Sequence, residues 1–165
     1  MANLVLFASG SGTNVENIAR TFDKNTDIKI VAILSNNPHA FVLERAEKLG
    51  IQAFVFSRQE FYHSAKVTGL LQECSADWII LAGFLWLIPG NLLAGYPGRI
   101  VNIHPALLPK YGGKGMYGMH VHQSVIDNGD KESGITIHYV NAEYDRGDII
   151  FQARCPVWQG DTDET

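Results

Sequence analysis

Leu4-Val5-Leu6-Phe7-Ala8-Ser9-Gly10-Ser11-Gly12-Thr13-Asn14 is a short, nearly all-apolar run that breaks into a glycine loop, and Val15, Ile18, Ala19 and Phe22 follow it at helical spacing. The order strand, glycine loop, helix is the opening of a βαβ unit. Working outward, Ile28 to Leu34 is a second β-rich run, closed by Ser35-Asn36-Asn37-Pro38, and Ala40 to Leu49 then reads as a helix stopped by Gly50. Ile51 to Phe56 makes a third strand, Gln59 to Glu73 a third helix, and Trp78 to Ala82 a fourth strand that is fully apolar and therefore buried on both faces. Arg99 to His104 gives a fifth strand, and His120 to Asp127 a helix ending near Asn128-Gly129. Two further β segments, Gly134 to Val140 and Asp148 to Val157, are joined by the turn 141–147. Alternating strands and helices imply an α/β fold: one domain over 1–165, with a mostly parallel, twisted, Rossmann-like sheet of about seven strands and helices on both faces. The last strand pair is expected to be antiparallel.

In such sheets ligands bind beyond the carboxyl ends of the strands, where the loop 9–14, Gly83 and the end of the fifth strand all fall. The loop itself lacks the third glycine of G-x-G-x-x-G, and no G-K-[ST] follows, so neither a dinucleotide site nor a Walker loop is indicated. Backbone N–H groups at a helix start, supplemented by Ser, Thr and Asn side chains, suit a phosphomonoester. A plain strand-to-helix turn is the alternative.

The fifth strand ends in Asn102-Ile103-His104-Pro105-Ala106-Leu107-Leu108-Pro109. Residues i and i+2 of a strand share a face, so Asn102 and His104 point the same way, and Pro105 ends regular pairing. An amide that donates to a developing oxyanion beside an imidazole that titrates near neutrality suits acyl chemistry. The bland alternative is a polar strand end leading into a proline-rich turn.

Asp145, in the turn after a strand, is a carboxylate that would raise the pKa of His104 if the two met; a structural Asx-turn is the competing reading. His138 reads equally as a packed strand residue or a site residue, and His39 and His63 as surface residues in helical stretches. His120 and His122 form an H-x-H pair without a third ligand at a characteristic spacing, so no metal is expected. The glycine-rich stretch 112–118 suggests a mobile loop near the site.

The composition is that of an ordinary globular protein, 46% hydrophobic and 18% charged, and a net charge of -4 without any Lys/Arg run argues against a nucleic-acid partner. Cys74 and Cys155 match no metal or disulfide spacing and are expected to be buried or idle thiols in a reducing cytoplasm. Neither a signal peptide nor a membrane span is visible. Asp161-Thr162-Asp163-Glu164 has the form of a helix N-cap, with Asp161 as the cap and Glu164 three residues on, although no helix follows.

Taken together, the loop 9–14, Leu81-Ala82-Gly83-Phe84, the run Asn102 to Lys110, and Asp145 with Gly147 resemble the folate-dependent formyltransferases over essentially the whole chain. The N-I-H-P-A-L-L-P run is the specific signature, and the first loop is similar to the branch acting on glycinamide ribonucleotide. The resemblance implies that Gly12, Thr13 and Asn14 hold the substrate phosphate and that Asn102, His104 and Asp145 are catalytic. It further implies that Arg58, Leu85, Trp86, Leu87, Ile88, Asn102, Asn141, Ala142, Glu143 and Tyr144 contact folate. At Trp86 some relatives carry Arg.

The implied reaction moves a formyl group from 10-formyltetrahydrofolate, a cosubstrate, to the ribonucleotide amine by direct attack, with no metal. Asn102 and a protonated His104 would face the oxyanion, with Asp145 keeping His104 charged. The implied protein is cytoplasmic, a monomer or homodimer, and acts on small molecules rather than on nucleic acid or membrane. Relatives continue into a further helix that supplies a Glu to the substrate's amino end, and this segment is expected to lack it. Competing readings are a formyltetrahydrofolate deformylase, in which water replaces the amine, and a non-catalytic phosphate- or nucleotide-binding module.

Overall fold

A computed structural model describes every residue from Met1 to Thr165. The elements run β1 (Ala2–Phe7), α1 (Thr13–Phe22), β2 (Ile28–Ser35), α2 (Val42–Leu49), β3 (Ala53–Val55), α3 (Arg58–His63), α4 (Lys66–Glu73), β4 (Trp78–Leu81), α5 (Gly90–Gly95), β5 (Ile100–His104), α6 (Met119–Asp127), β6 (Glu132–Tyr139) and β7 (Ile149–Pro156). The chain is therefore α/β with seven strands, as its alternating pattern predicts. It divides into two compact units, Met1–Ile100 and Val101–Thr165.

In the first unit β3, β2, β1 and β4 pair in parallel, in that order. Parallel strands must bury both faces, and β1 does so by alternation. Leu6 joins Val15 of α1 and Val42 and Ala46 of α2 in one cluster. Phe7 faces the opposite way, its ring centroid 5.9 Å from Phe56 and 6.5 Å from Phe61 of α3. Three strongly buried phenylalanines, each contributing about 2 to 3 kcal/mol by burial alone, make that second face a dominant stabilising element.

In the second unit β5, β6 and β7 are antiparallel, as expected for the last pair, and α6 buries Val121 and Val125. Gly147 closes the β6–β7 connection: a Cβ there would stand 1.7 Å from the Tyr139 carbonyl oxygen, so only glycine fits.

Several local features depart from the sequence pattern. The single helix over Gln59 to Glu73 is two, α3 and α4, because Ser64 is extended (φ −143°, ψ 170°). Its hydroxyl donates to the Glu60 carbonyl and accepts from the Lys66 N–H, ending one helix and starting the next. Helix α5 escapes the sequence pattern because two of its six residues, GNLLAG, are glycine. The Asp161 carboxylate accepts from the Trp158 N–H behind it instead of capping forward, and the Thr162 hydroxyl takes the Glu164 N–H. His39 lies in a turn, exposed like His63. Cys155 is exposed on β7 and Cys74 partly buried, both as free thiols.

Candidate active site

Strand register assembles the site in the second unit. Asn102 of β5 stands opposite His138 of β6, and His104 opposite Thr136, so all four side chains share one face. Pairing ends at His104, as Pro105 predicts. Thr136 then holds the following run: its hydroxyl donates to the Ala106 carbonyl at 2.6 Å and accepts the Leu108 N–H at 3.0 Å. The Leu108–Pro109 peptide is cis.

Asp145 enters this face from the β6–β7 turn with φ 54°, a left-handed conformation that a short polar side chain tolerates. It is no Asx-turn; that part is played by Asn141, whose Oδ1 accepts the Glu143 N–H. One Asp145 oxygen, Oδ1, lies 3.2 Å from Asn102 Nδ2, 3.6 Å from His104 Nδ1 and 3.5 Å from His138 Nε2. The other, Oδ2, accepts the Gly113 N–H at 2.9 Å. Asn102, His104 and Asp145, named separately from the sequence, thus converge on one carboxylate.

His138, which the sequence left open between a packed strand residue and a site residue, is a fourth member. It is 2% exposed, and its Nε2 lies 3.1 Å from Asn102 Nδ2. The available signal is alternation: Gly134, Thr136 and His138 form one face of β6, in register with Asn102 and His104.

Partner chemistry fixes the protons. His104 Nε2 lies 2.7 Å from the Tyr111 carbonyl, which can only accept, so Nε2 carries hydrogen and Nδ1 is the nitrogen free to exchange a proton. By the same argument His138 donates Nδ1–H to the Tyr139 carbonyl and accepts at Nε2. Both hydrogens of the Asn102 amide are then engaged, one by Asp145 and one by His138.

Burial pushes His104 down, Asp145 and the Tyr111 carbonyl push it back, and the net direction is below the ordinary histidine value. The expectation that Asp145 keeps His104 charged is corrected on this point, because at 3% exposure desolvation outweighs the carboxylate. Burial also raises Asp145, but the His138 imidazole, the Gly113 N–H and the His104 imidazole beside it outweigh it, leaving the carboxyl below its usual range.

In the first unit the glycine loop is braced from α2. The Gly10 carbonyl accepts the Val42 N–H at 3.1 Å, and the Ser11 carbonyl accepts Arg45 Nε at 2.8 Å. Gly12 is left-handed (φ 74°) and is the N-cap of α1, where no side chain caps the helix. The first N–H groups, those of Thr13 and Asn14, have no intrahelical acceptor by the geometry of a helix start.

Ser9 ties this loop to the next. Its N–H donates to the Gly83 carbonyl and its buried Oγ accepts the Leu85 N–H at 3.0 Å. Of the residues expected to contact folate, Arg58 and Trp86 come together, the guanidinium 5.5 Å from the indole and 5.2 Å from the Tyr62 ring. Tyr62 donates its hydroxyl to the Leu87 carbonyl at 2.8 Å. Leu85 is exposed and Ile88 buried. In the second unit Asn141, Ala142 and Glu143 are exposed, and Tyr144 is half-buried. His120 and His122, two residues apart on α6, point around different sides of the helix and do not converge.

The formyl transferase family model matches residues 2–165. This chain belongs to that family. It is 39% identical over 98% of its length to the chloroplastic phosphoribosylglycinamide formyltransferase of Arabidopsis thaliana, of which it spans 57%. It is 37% identical to the phosphoribosylglycinamide formyltransferase of Escherichia coli, of which it spans 76%. Among solved structures, glycinamide ribonucleotide transformylase 1 from Symbiobacterium toebii superposes with a TM-score of 0.88 at 34% identity, over 99% of this chain and 77% of that one. No helix of the protein is long and apolar enough to cross a membrane.

Proposed function

We propose that this formyl transferase family member transfers the formyl group of 10-formyltetrahydrofolate to the amine of 5'-phosphoribosylglycinamide, a step of purine biosynthesis, in the cytoplasm. The observation that carries the reading is the convergence of Asn102, His104 and His138 on Asp145 Oδ1. No serine or cysteine stands in this cluster, which fits direct attack by the amine on the formyl carbon, with catalysis by positioning, oxyanion stabilisation and proton handling.

His104 begins neutral. As the amine nitrogen bonds to the formyl carbon, Nδ1 takes the amine proton, and Asp145 stabilises the imidazolium that forms. Collapse of the tetrahedral species breaks the bond to the folate nitrogen, and the same proton goes to that nitrogen. Asn102 meets the oxyanion by releasing one amide hydrogen, and the bond to the His138 ring nitrogen is the cheaper one to give up, because hydrogen bonds to a carboxylate are about twice as strong. Gly12, Thr13 and Asn14 hold the phosphate at the uncapped start of α1. Arg58, Leu85 to Ile88, Asn102, and Asn141 to Tyr144 are the folate contacts of this reading.

The test is to supply 10-formyltetrahydrofolate with and without the ribonucleotide and follow the deformylated folate. Transfer that depends on the ribonucleotide is expected; release at a comparable rate without it would make the protein a hydrolase.

A further inference from the structure

Tyr111 is a bulky residue with φ 54°, a conformation that persists only where its surroundings impose it. Its side chain is tied to Asp130. Asp130 Oδ2 accepts the Tyr111 hydroxyl at 3.0 Å and Lys110 Nζ at 3.0 Å, and its Oδ1 accepts Asn128 Nδ2 at 3.1 Å. Two successive side chains are thus pinned to one carboxylate just after α6.

What the strained turn delivers is chemistry. The Tyr111 carbonyl receives His104 Nε2–H at 2.7 Å, and two residues on the Gly113 N–H donates to Asp145 Oδ2 at 2.9 Å. Gly112 lies tightly beneath, where a Cβ would stand 2.5 Å from a Leu108 methyl and 3.2 Å from Asp145 Cβ. One three-residue turn therefore sets the proton position on the imidazole and the orientation of the carboxylate beside it.

We propose that Asp130, acting through the Tyr111 hydroxyl, is a positioning residue that holds the 111–113 turn against His104 and Asp145 and so fixes His104 as the Nε2–H tautomer. The inference rests on the proposed formyl transfer for its catalytic consequence, but its structural content does not.

The substitution that tests it is Tyr111→Phe, which keeps the ring and removes only the bond to Asp130. Two measurements are made on the full chain: steady-state kinetics with both substrates, and the 15N shifts of the His104 imidazole, which report the tautomer directly. With the tether cut, the His104 signal is expected to move from a single Nε2–H tautomer toward a mixture. Turnover is expected to fall about tenfold, with KM for each substrate within about twofold, because the turn bonds directly to the proton-handling pair His104 and Asp145.

Asp130→Asn is the second variant. It keeps an oxygen acceptor but loses the charge that holds Lys110 and Tyr111 together, and a shift in the same direction is expected. A wild-type His104 signature in a folded Tyr111→Phe or Asp130→Asn protein overturns the inference, whatever the activity. If instead the unaltered protein shows no formyl transfer while both variants shift the His104 signal, the functional reading fails and the positioning role stands.

Discussion

His104 presents its free ring nitrogen, Nδ1, to Asp145 Oδ1 at 3.6 Å. Tyr111 occupies the other nitrogen, so every proton that His104 exchanges passes on the side facing Asp145. Replacing Asp145 by Asn removes the charge that favours the imidazolium while keeping the side chain's size. His104 then loses the largest influence opposing its burial and titrates lower still. Turnover of Asp145→Asn should drop by about 10²- to 10⁴-fold, the usual range for disabling acid–base transfer, and an NMR titration of His104 should move toward acid. Wild-type turnover in that variant would remove Asp145 from the proposed mechanism.

Stability should fall on mild acidification, and the sign follows from the direction of the shifts. His104 in the fold sits below its ordinary value of 6.5, so below that pH the unfolded chain takes up a proton before the folded one does, and folding weakens until the pH reaches the folded value. Asp145, also lowered, contributes stability that is present above 3.8 and is lost as the pH falls through its own folded value. Urea unfolding at pH 7 and pH 5 should show lower stability at pH 5. In His104→Gln the portion of that loss attributable to His104 should disappear; an unchanged pH dependence would contradict the assignment.

The N-terminal half of the fold was legible because its strands are buried on both faces. The runs Leu4 to Ala8 and Trp78 to Ala82 carry so few polar residues that their placement has no competitor. The helix break at Ser64 was not legible, because apolar spacing continues across it and a serine hydroxyl serves a helix interior or its end equally well. Asn102 and His104 could be paired by strand alternation alone. Their meeting with Asp145, more than forty residues on, depends on antiparallel register and on a close approach at Gly147, neither of which leaves a periodic signal. The same register that hides Asp145 would have revealed His138, had the polar face of β6 been laid against that of β5.

Asn102→Ala should raise the barrier by about 3 to 4 kcal/mol, as removal of one oxyanion donor commonly does. Its effect should appear in kcat more than in KM, since the donor is used chiefly where negative charge develops. Asn102→Asp is expected to be at least as damaging despite its matching shape. It would set a second carboxylate against Asp145 Oδ1, at a position where Asn102 Nδ2 now stands 3.2 Å away, and neither partner would donate. Steady-state kinetics of the two variants decides the matter, and near-normal turnover in either would exclude the amide from oxyanion stabilisation.

The glycine loop permits a paired experiment on neighbouring residues. A Cβ at Gly12 would stand 2.4 Å from Val42 Cγ2, 2.6 Å from Val42 Cβ and 2.9 Å from Val42 Cα, and the φ of 74° disfavours any side chain. Because the β-carbon and backbone of α2 cannot swing aside as a side-chain tip could, Gly12→Ala must move the loop or the helix, at a cost of about 1 to 3 kcal/mol. At Gly10 nothing lies within 4 Å of the added carbon. Gly10→Ala should therefore leave thermal stability nearly unchanged. If the loop N–H groups hold the substrate phosphate, Gly12→Ala should also raise KM for the ribonucleotide at least several-fold, with KM for the folate unaltered. Equal behaviour of the two alanine variants, in both melting and ribonucleotide KM, would show that the brace from Val42 neither shapes this loop nor matters to the phosphate.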